Sequence, residues 1–324
     1  MNRSKSLLQN KNPKFSSALF SLKGLLTWLG LALLRVISLL PYGMLMRLGN
    51  ATGNLIYKVS PHRKEISKIN IERCLHLEGQ ELDKLVKLNF QAIGRGIFEM
   101  AIAWWGSDKK VKNLKTQFIN KHLLENPTTG VLVLIKHSTH LELDLRLLSQ
   151  FFDLSGMYKL QTNEVINYVM IKARNNYIKG SLTNKEAIKA IRWIKSGEIF
   201  LYAADQDYGS KVSKMIPFFN HDAATVTFPA FLSGKNIKVV VADISKIENV
   251  YEIELQELEN QEDEERFLGN MNNLYEKFIR KEPEGYLWMH RRFKSGIGES
   301  LYPKWSSREK RREKRREKRR ENRG

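Results

Sequence analysis

Val131-Leu132-Val133-Leu134-Ile135-Lys136-His137-Ser138-Thr139-His140-Leu141-Glu142 is the stretch on which the reading of the fold turns. Its first five residues, all β-branched or aliphatic, read as a strand buried on both faces, and such strands belong to sheets covered by helices. The loop after a strand of this kind opens at the carboxyl edge of the sheet, where open α/β folds place their ligands. His137 therefore stands at a position for chemistry, and the fold expected is an α/β layered sheet flanked by helices. Five positions separate His137 from Glu142, about 500° of turn at 3.6 residues per turn, so no single helix presents both on one face. A strand-to-helix turn removes the difficulty. His137 then lies in the turn and Glu142 in the first helical turn, folded back to fix the imidazole in one tautomer.

That pair suits acyl transfer to a hydroxyl, with an imidazole to take the alcohol proton and a carboxylate to orient it. No Gly-x-Ser-x-Gly elbow occurs, so the acceptor oxygen would attack a thioester directly. The single cysteine, Cys74, sits in a helical-looking stretch and reads as a small buried residue. Two rival readings exist. His140 and Asp144, at i and i+4, share a helical face and form a competing dyad. Zinc held by His137, His140 and Glu142 lacks a further ligand cluster, because the other histidines, at 62, 76, 122, 221 and 290, are scattered. Neither a metal nor a cofactor is expected.

Outward from this centre the pattern alternates. Helix is expected from Leu141 to Phe151, a loop carrying Tyr158, Gln161 and Asn163, then helix again from Glu164 to Asn175. Thr183-x-x-Glu186 has the form of a capping box opening a helix that ends near Ser196-Gly197. Strands follow at 198–203, 237–245 and 250–255, and the acidic stretch from Glu257 to Glu265 begins a helix running to Lys281. Upstream, Ile66, Ile69 and Leu75 mark one amphipathic helix over 64–76, and Leu82, Leu85 and Leu88 another over 80–105, which closes on Trp104-Trp105 as packing residues.

The chain has 324 residues and a formal charge of +19, which favours acidic partners: anionic headgroups, phosphorylated substrates, an acidic carrier protein or nucleic acid. Nucleic acid is set aside, since no zinc-finger, helix-turn-helix or aromatic-plus-basic sheet signature occurs. Four segments are expected: a basic stretch over 1–23, a membrane-anchor helix over 24–46, one catalytic domain over 60–303 and a basic low-complexity tail over 306–324. The run from Gly24 to Met46 reaches the roughly 20 apolar residues a bilayer needs, but Arg35 inside it costs about 2.5 to 3.5 kcal/mol on insertion. With only basic residues ahead of it, the segment is read as lying in or dipping into the interface, Trp28 and Tyr42 at headgroup depth. From Arg308 the tail holds eleven Lys or Arg against four Glu, a surplus of seven charges that suits an anionic leaflet.

A family resemblance rests on an ordered set of motifs. His137 to Glu142, the basic stretch near Arg174, Asp205-Gln206-Asp207-Tyr208-Gly209, Pro217-Phe218-Phe219, Ala223-Ala224-Thr225 and Trp288 to Lys294 occur in sequence. From about Pro13 to Pro303 the chain resembles the late acyltransferases of lipid A assembly, the lauroyl/myristoyl transferases of Gram-negative bacteria, a branch of the glycerolipid acyltransferases. The resemblance implies a glycerolipid acyltransferase-like fold with an N-terminal membrane-anchoring helix and a catalytic pair of His137 and Glu142. It implies Arg174 as a contact to a substrate phosphate or to developing oxyanion charge. Where the family often carries Asp-Arg-Lys this chain has Thr183-Asn184-Lys185, leaving Lys185 as the phosphate contact. Asp205 and Asp207, at a strand end, are expected to order cationic side chains, Arg291 or Arg292, in the same pocket. Implied partners are acyl carrier protein as acyl donor, a Kdo-modified tetraacylated lipid A precursor or its pentaacyl product as acceptor, and anionic lipids at the cytoplasmic face of the inner membrane. Alternatives are acylation of a lysophospholipid or other glycolipid by the same dyad, and a non-catalytic basic membrane protein.

Overall fold

The structure, a computed structural model, describes residue 13 and residues 15–303, except 236, 260 and 261. The tail expected at 306–324 and most of the basic segment at 1–23 lie outside the described residues. Four helices come first, α1 (Leu22–Ile37), α2 (Tyr42–Val59), α3 (Pro61–Leu75) and α4 (Gly79–Trp105), then the short α5 (Asp108–Lys112). The alternating part follows: β1 (Thr116–Ile119), β2 (Val131–Ile135), α6 (Leu141–Leu148), β3 (Leu154–Tyr158), α7 (Glu164–Arg174), β4 (Gly180–Thr183), α8 (Ala187–Lys195) and β5 (Ile199–Ala203). A hairpin of β6 (Ser213–Phe218) and β7 (His221–Val226) precedes α9 (Phe228–Ser233), β8 (Lys238–Ile247), β9 (Val250–Leu258) and α10 (Glu264–Lys281).

Seven strands form one mixed sheet in the order β1-β9-β8-β2-β5-β3-β4, in which only β8 and β9 run antiparallel among the described residues. All five residues of β2 are buried, as an aliphatic run in the middle of a two-faced sheet requires. Its side chains alternate between two cores: Leu132 and Leu134 in one with Phe200, Val239 and Tyr275, Val131 and Val133 in the other with Leu147, Val240 and Leu255. Helix α4 feeds both, with Leu82 and Phe90 in the first and Phe98 and Ile102 in the second. It passes over the turn after β2 at Gly96, where an added Cβ would lie 2.0 Å from the Thr139 carbonyl oxygen. Only a glycine admits the helix that close.

The segment expected as one anchor helix over 24–46 is two helices. Pro41, which has no N–H to offer a helix interior, begins α2 instead, and the Lys110 ammonium donates to the carbonyls of Ser38 (2.5 Å) and Leu40 (2.6 Å) in the intervening turn. No helix among the described residues is long and apolar enough to cross a membrane. Both pack on the domain, yet α1 keeps Leu22, Leu25, Leu26, Leu29, Leu33 and Val36 exposed along one face. Further boundaries differ from expectation: the loop expected to carry Tyr158 contains β3, α6 ends at Leu148, and two helix starts move. Thr183 ends β4, and Glu186 accepts hydrogen bonds from its N–H and Oγ1, both at 3.0 Å, so α8 starts at Ala187. The acidic stretch remains in β9 as far as Leu258, which is buried and paired with Val239; α10 begins only after Asp263, whose carboxylate caps it.

Candidate active site

The parallel register of the central strands assembles the site. Ile135 of β2 lies opposite Ala203 of β5 and Ala242 of β8. One residue further, Lys136 meets Asp243 in a fully buried ion pair; two residues further, His137 meets Asp205. The Asp205 carboxylate accepts from the His137 backbone N–H at 3.0 Å and lies 2.5 Å from Nδ1 of its ring. Burial alone would raise the Asp205 carboxyl, but the facing imidazole and hydrogen bonds from His137 and Tyr286 outweigh it and hold it down at about 2. An acceptor fixed at Nδ1 assigns the ring proton there and leaves Nε2 with its lone pair. Nε2 has no hydrogen-bond partner among the described residues and is not sealed from solvent.

Glu142 does not back this histidine. It occupies the first turn of α6 as expected, but its carboxylate accepts two hydrogen bonds from Arg174 at the end of α7, Nη2 at 2.5 Å and Nε at 3.2 Å, and one from the Trp104 indole at 2.9 Å. The turn therefore points its two conspicuous residues apart: His137 toward β5, Glu142 toward α4 and α7. The forked pair fixes the Arg174 guanidinium plane, and the Tyr177 hydroxyl lies beside it as well. Beside the pair, Trp28, Leu31, Trp104, Trp105 and Tyr168 line a mainly apolar cavity of about 480 Å³, with Arg35 and Lys172 also on its wall.

Beneath the turn lies a buried polar network that the sequence reading did not identify as one. His140 Nδ1 is 2.6 Å from Asp144 Oδ1 and its Nε2 3.7 Å from Glu282; Ser138 donates to the other Asp144 oxygen. Burial works to discharge His140, but the two carboxylates prevail and raise its pKa well above 6.5. Next to it, Glu99 accepts from Tyr251 (2.8 Å), Tyr42 (3.0 Å) and Lys246 (3.2 Å). The rival dyad of His140 and Asp144 thus exists as a pair, sealed inside the protein. A lone carboxylate at Glu99 in the apolar Ile97-Phe98-Glu99-Met100-Ala101-Ile102 was the signal available for this network, as was Asp243 after four apolar residues.

The remaining expected site residues divide. Asp207 accepts from Ser295 N and Oγ, both at 2.9 Å, and from Gly209 N, and its own N–H donates to His290 Nε2 at 3.1 Å. Arg291 and Arg292 are buried and do not pair with Asp205 or Asp207 as expected: Arg291 donates to the Pro303 carbonyl at 2.7 Å, Arg292 to the Ala224 carbonyl at 2.6 Å and to Thr225 Oγ1. Both guanidiniums fasten the segment after α10 to its surroundings. Lys185 is exposed in the turn between β4 and α8.

The sequence matches the family described as bacterial lipid A biosynthesis acyltransferase over residues 12–295. It is 31% identical to the lipid A biosynthesis lauroyltransferase of Escherichia coli (strain K12) over 293 residues, 87% of this chain and 96% of that one. It is 30% identical to a lipid A biosynthesis acyltransferase of Haemophilus influenzae, covering 90% and 98% of the two chains, and 25% identical to the lipid A biosynthesis myristoyltransferase of Escherichia coli, covering 85% and 89%. Among solved structures, the 1-acyl-sn-glycerophosphate acyltransferase of Thermotoga maritima superposes with a TM-score of 0.38 at 10% identity, covering 73% of this chain and 97% of that one.

Proposed function

The chain belongs to the bacterial lipid A biosynthesis acyltransferases, and from that premise we propose that it moves a fatty acyl group from acyl carrier protein to a hydroxyl on an acyl chain of a tetraacylated lipid A precursor, with His137 as general base. The observation that carries the mechanism is the Asp205 carboxylate at 2.5 Å from Nδ1 of His137. It fixes the ring and leaves Nε2 to take the proton of the acceptor hydroxyl, whose oxygen attacks the thioester carbon; the C–S bond then breaks and the departing sulfur receives the proton. The product is an acyloxyacyl ester. The cavity between α1, α4 and α7 supports an apolar guest such as the fatty chain. Trp104, which lines this cavity and donates to Glu142, links it to Arg174, whose guanidinium, steadied by Glu142, is offered to an anionic group of the lipid, a phosphate being its natural partner. In this arrangement Glu142 acts by positioning Arg174, where the spacing alone had assigned it to His137. The exposed face of α1 supports work at a membrane surface, the inner-membrane cytoplasmic face being where carrier protein and precursor would meet.

The test is turnover of purified full-length protein with an acyl-carrier thioester and tetraacylated precursor, product identified by mass, and a lysophospholipid as competing acceptor. General base catalysis contributes about 10²- to 10⁴-fold, so His137→Ala and Asp205→Asn should each lose at least a hundredfold in kcat. Near wild-type turnover in both ends this mechanism, and preferential acylation of the lysophospholipid ends the assignment of the acceptor.

A further inference from the structure

The loop Asp205-Gln206-Asp207 holds two histidines, in opposite senses. Asp205 takes Nδ1 of His137, whereas the backbone N–H of Asp207 donates to Nε2 of His290 at 3.1 Å. A nitrogen that accepts a hydrogen bond carries no proton, so the ring proton of His290 is on Nδ1. That Nδ1 has no hydrogen-bond partner among the described residues, and it is not among the polar atoms sealed from solvent. The segment carrying His290 is tied to the His137 turn itself: Leu287 N donates to the His137 carbonyl at 3.0 Å, and Tyr286 pairs with Ser138. Asn70 fastens the same segment from behind, donating to the carbonyls of Trp288 and His290. His290 is therefore a firmly mounted N–H donor near the proposed base.

We propose that the Nδ1–H of His290 is a catalytic hydrogen-bond donor to the thioester carbonyl oxygen, acting while His137 takes the acceptor's proton. This rests on the acyl-transfer reading above. As the acceptor oxygen bonds to the carbonyl carbon, the C=O electron pair moves onto the carbonyl oxygen, which draws closer to Nδ1–H; on collapse the pair returns, the C–S bond breaks and the sulfur takes the proton from His137. His290 keeps its proton throughout. It can do so because it stays neutral: burial, with His137, Arg292 and Lys294 nearby, outweighs Asp205 and pushes its pKa down to about 3. A neutral imidazole serving as donor beside a second group that serves as base is a recurrent division of labour.

Two substitutions separate donor from scaffold. In His290→Gln the terminal amide reaches the place of Nε2, so the Asp207 N–H keeps an acceptor while the donor at Nδ1 is lost. In His290→Asn the amide sits where Nδ1 was, keeping the donor and leaving Asp207 without its acceptor. With acyl-carrier thioester and tetraacylated precursor, and thermal unfolding to confirm that each variant is folded, the Gln variant should lose about 10²-fold in kcat, the usual effect of removing one oxyanion donor, with KM within about threefold. The Asn variant should remain within about tenfold of wild type. The reverse order, equal loss in both, or wild-type kcat in both overturns the proposal. A wild-type protein with no turnover on these substrates instead counts against the acyl-transfer reading, which keeps the two failures distinct.

Discussion

His140 is buried with Asp144 at one ring nitrogen and Glu282 facing the other, and Glu99, Lys136, Ser138 and the Tyr251 ring complete its surroundings. Removing this imidazolium leaves two buried carboxylates short of a partner, a change that costs about 3 to 5 kcal/mol when a buried pair is broken. The dependence on pH has a definite sign. The folded protein binds the His140 proton more tightly than the unfolded chain does, because its pKa is raised above the ordinary 6.5. The stabilisation is therefore complete below about 6.5 and is lost as pH rises through the raised value. Urea unfolding of wild type and His140→Asn should show the larger gap in stability at pH 6 and a smaller one at pH 9. A gap that widens with pH would mean that His140 is neutral in the folded state.

Gly96 sets how closely α4 approaches the turn that carries His137 and Glu142. Replacing it with alanine adds about 1 kcal/mol of helix propensity, but the new methyl would lie 2.0 Å from the Thr139 carbonyl oxygen, backbone against which little can shift. Overpacking of this kind costs about 1 to 3 kcal/mol or more, so it wins. Gly96→Ala should lower the unfolding midpoint and also reduce kcat, since the turn must move; a variant more stable than wild type would show that α4 stands further off. The same turn shows what the sequence disclosed. The strand 131–135, the histidine at its end and the helix beginning at Leu141 were legible, because an aliphatic run followed by polar residues has one common structural meaning. The partners were not. Asp205 reaches His137 through the pairing of β2 with β5, sixty-odd residues apart, and Glu142 reaches Arg174 because α6 and α7 both pack on α4. Those distances in sequence carry no local signal. Short strands with mixed burial, such as β1 and β4, were missed for a related reason: four residues hold too little periodicity to be read.

At the scale of the whole molecule, an apolar face and a surplus of positive charge each predict membrane binding, with different responses to salt. Along α1, Leu25, Leu29 and Leu33 are 50%, 69% and 60% exposed, an apolar face that a water-soluble surface does not need. The chain also carries a net charge of +19, seven of those charges in the stretch from Arg308 onward. The two contributions respond differently to salt. Burial of three leucines that are half or more exposed should supply roughly 1 kcal/mol each at about 25 cal/mol per Å², independent of ionic strength. Basic residues near an anionic leaflet supply about 1 kcal/mol apiece at physiological salt and fade as the Debye length falls to about 3 Å at 1 M. In vesicle flotation, the full chain should therefore bind membranes containing anionic lipid and retain a reduced, salt-resistant fraction at 1 M salt. Changing Leu25, Leu29 and Leu33 together to serine should abolish that resistant fraction, on the order of a hundredfold in partitioning by the same area estimate, while leaving binding at low salt. Deleting residues 306–324 should do the opposite, weakening the preference for anionic lipid and sparing the resistant fraction. If the triple serine variant floats unchanged at 1 M salt, the face of α1 is not what meets the membrane.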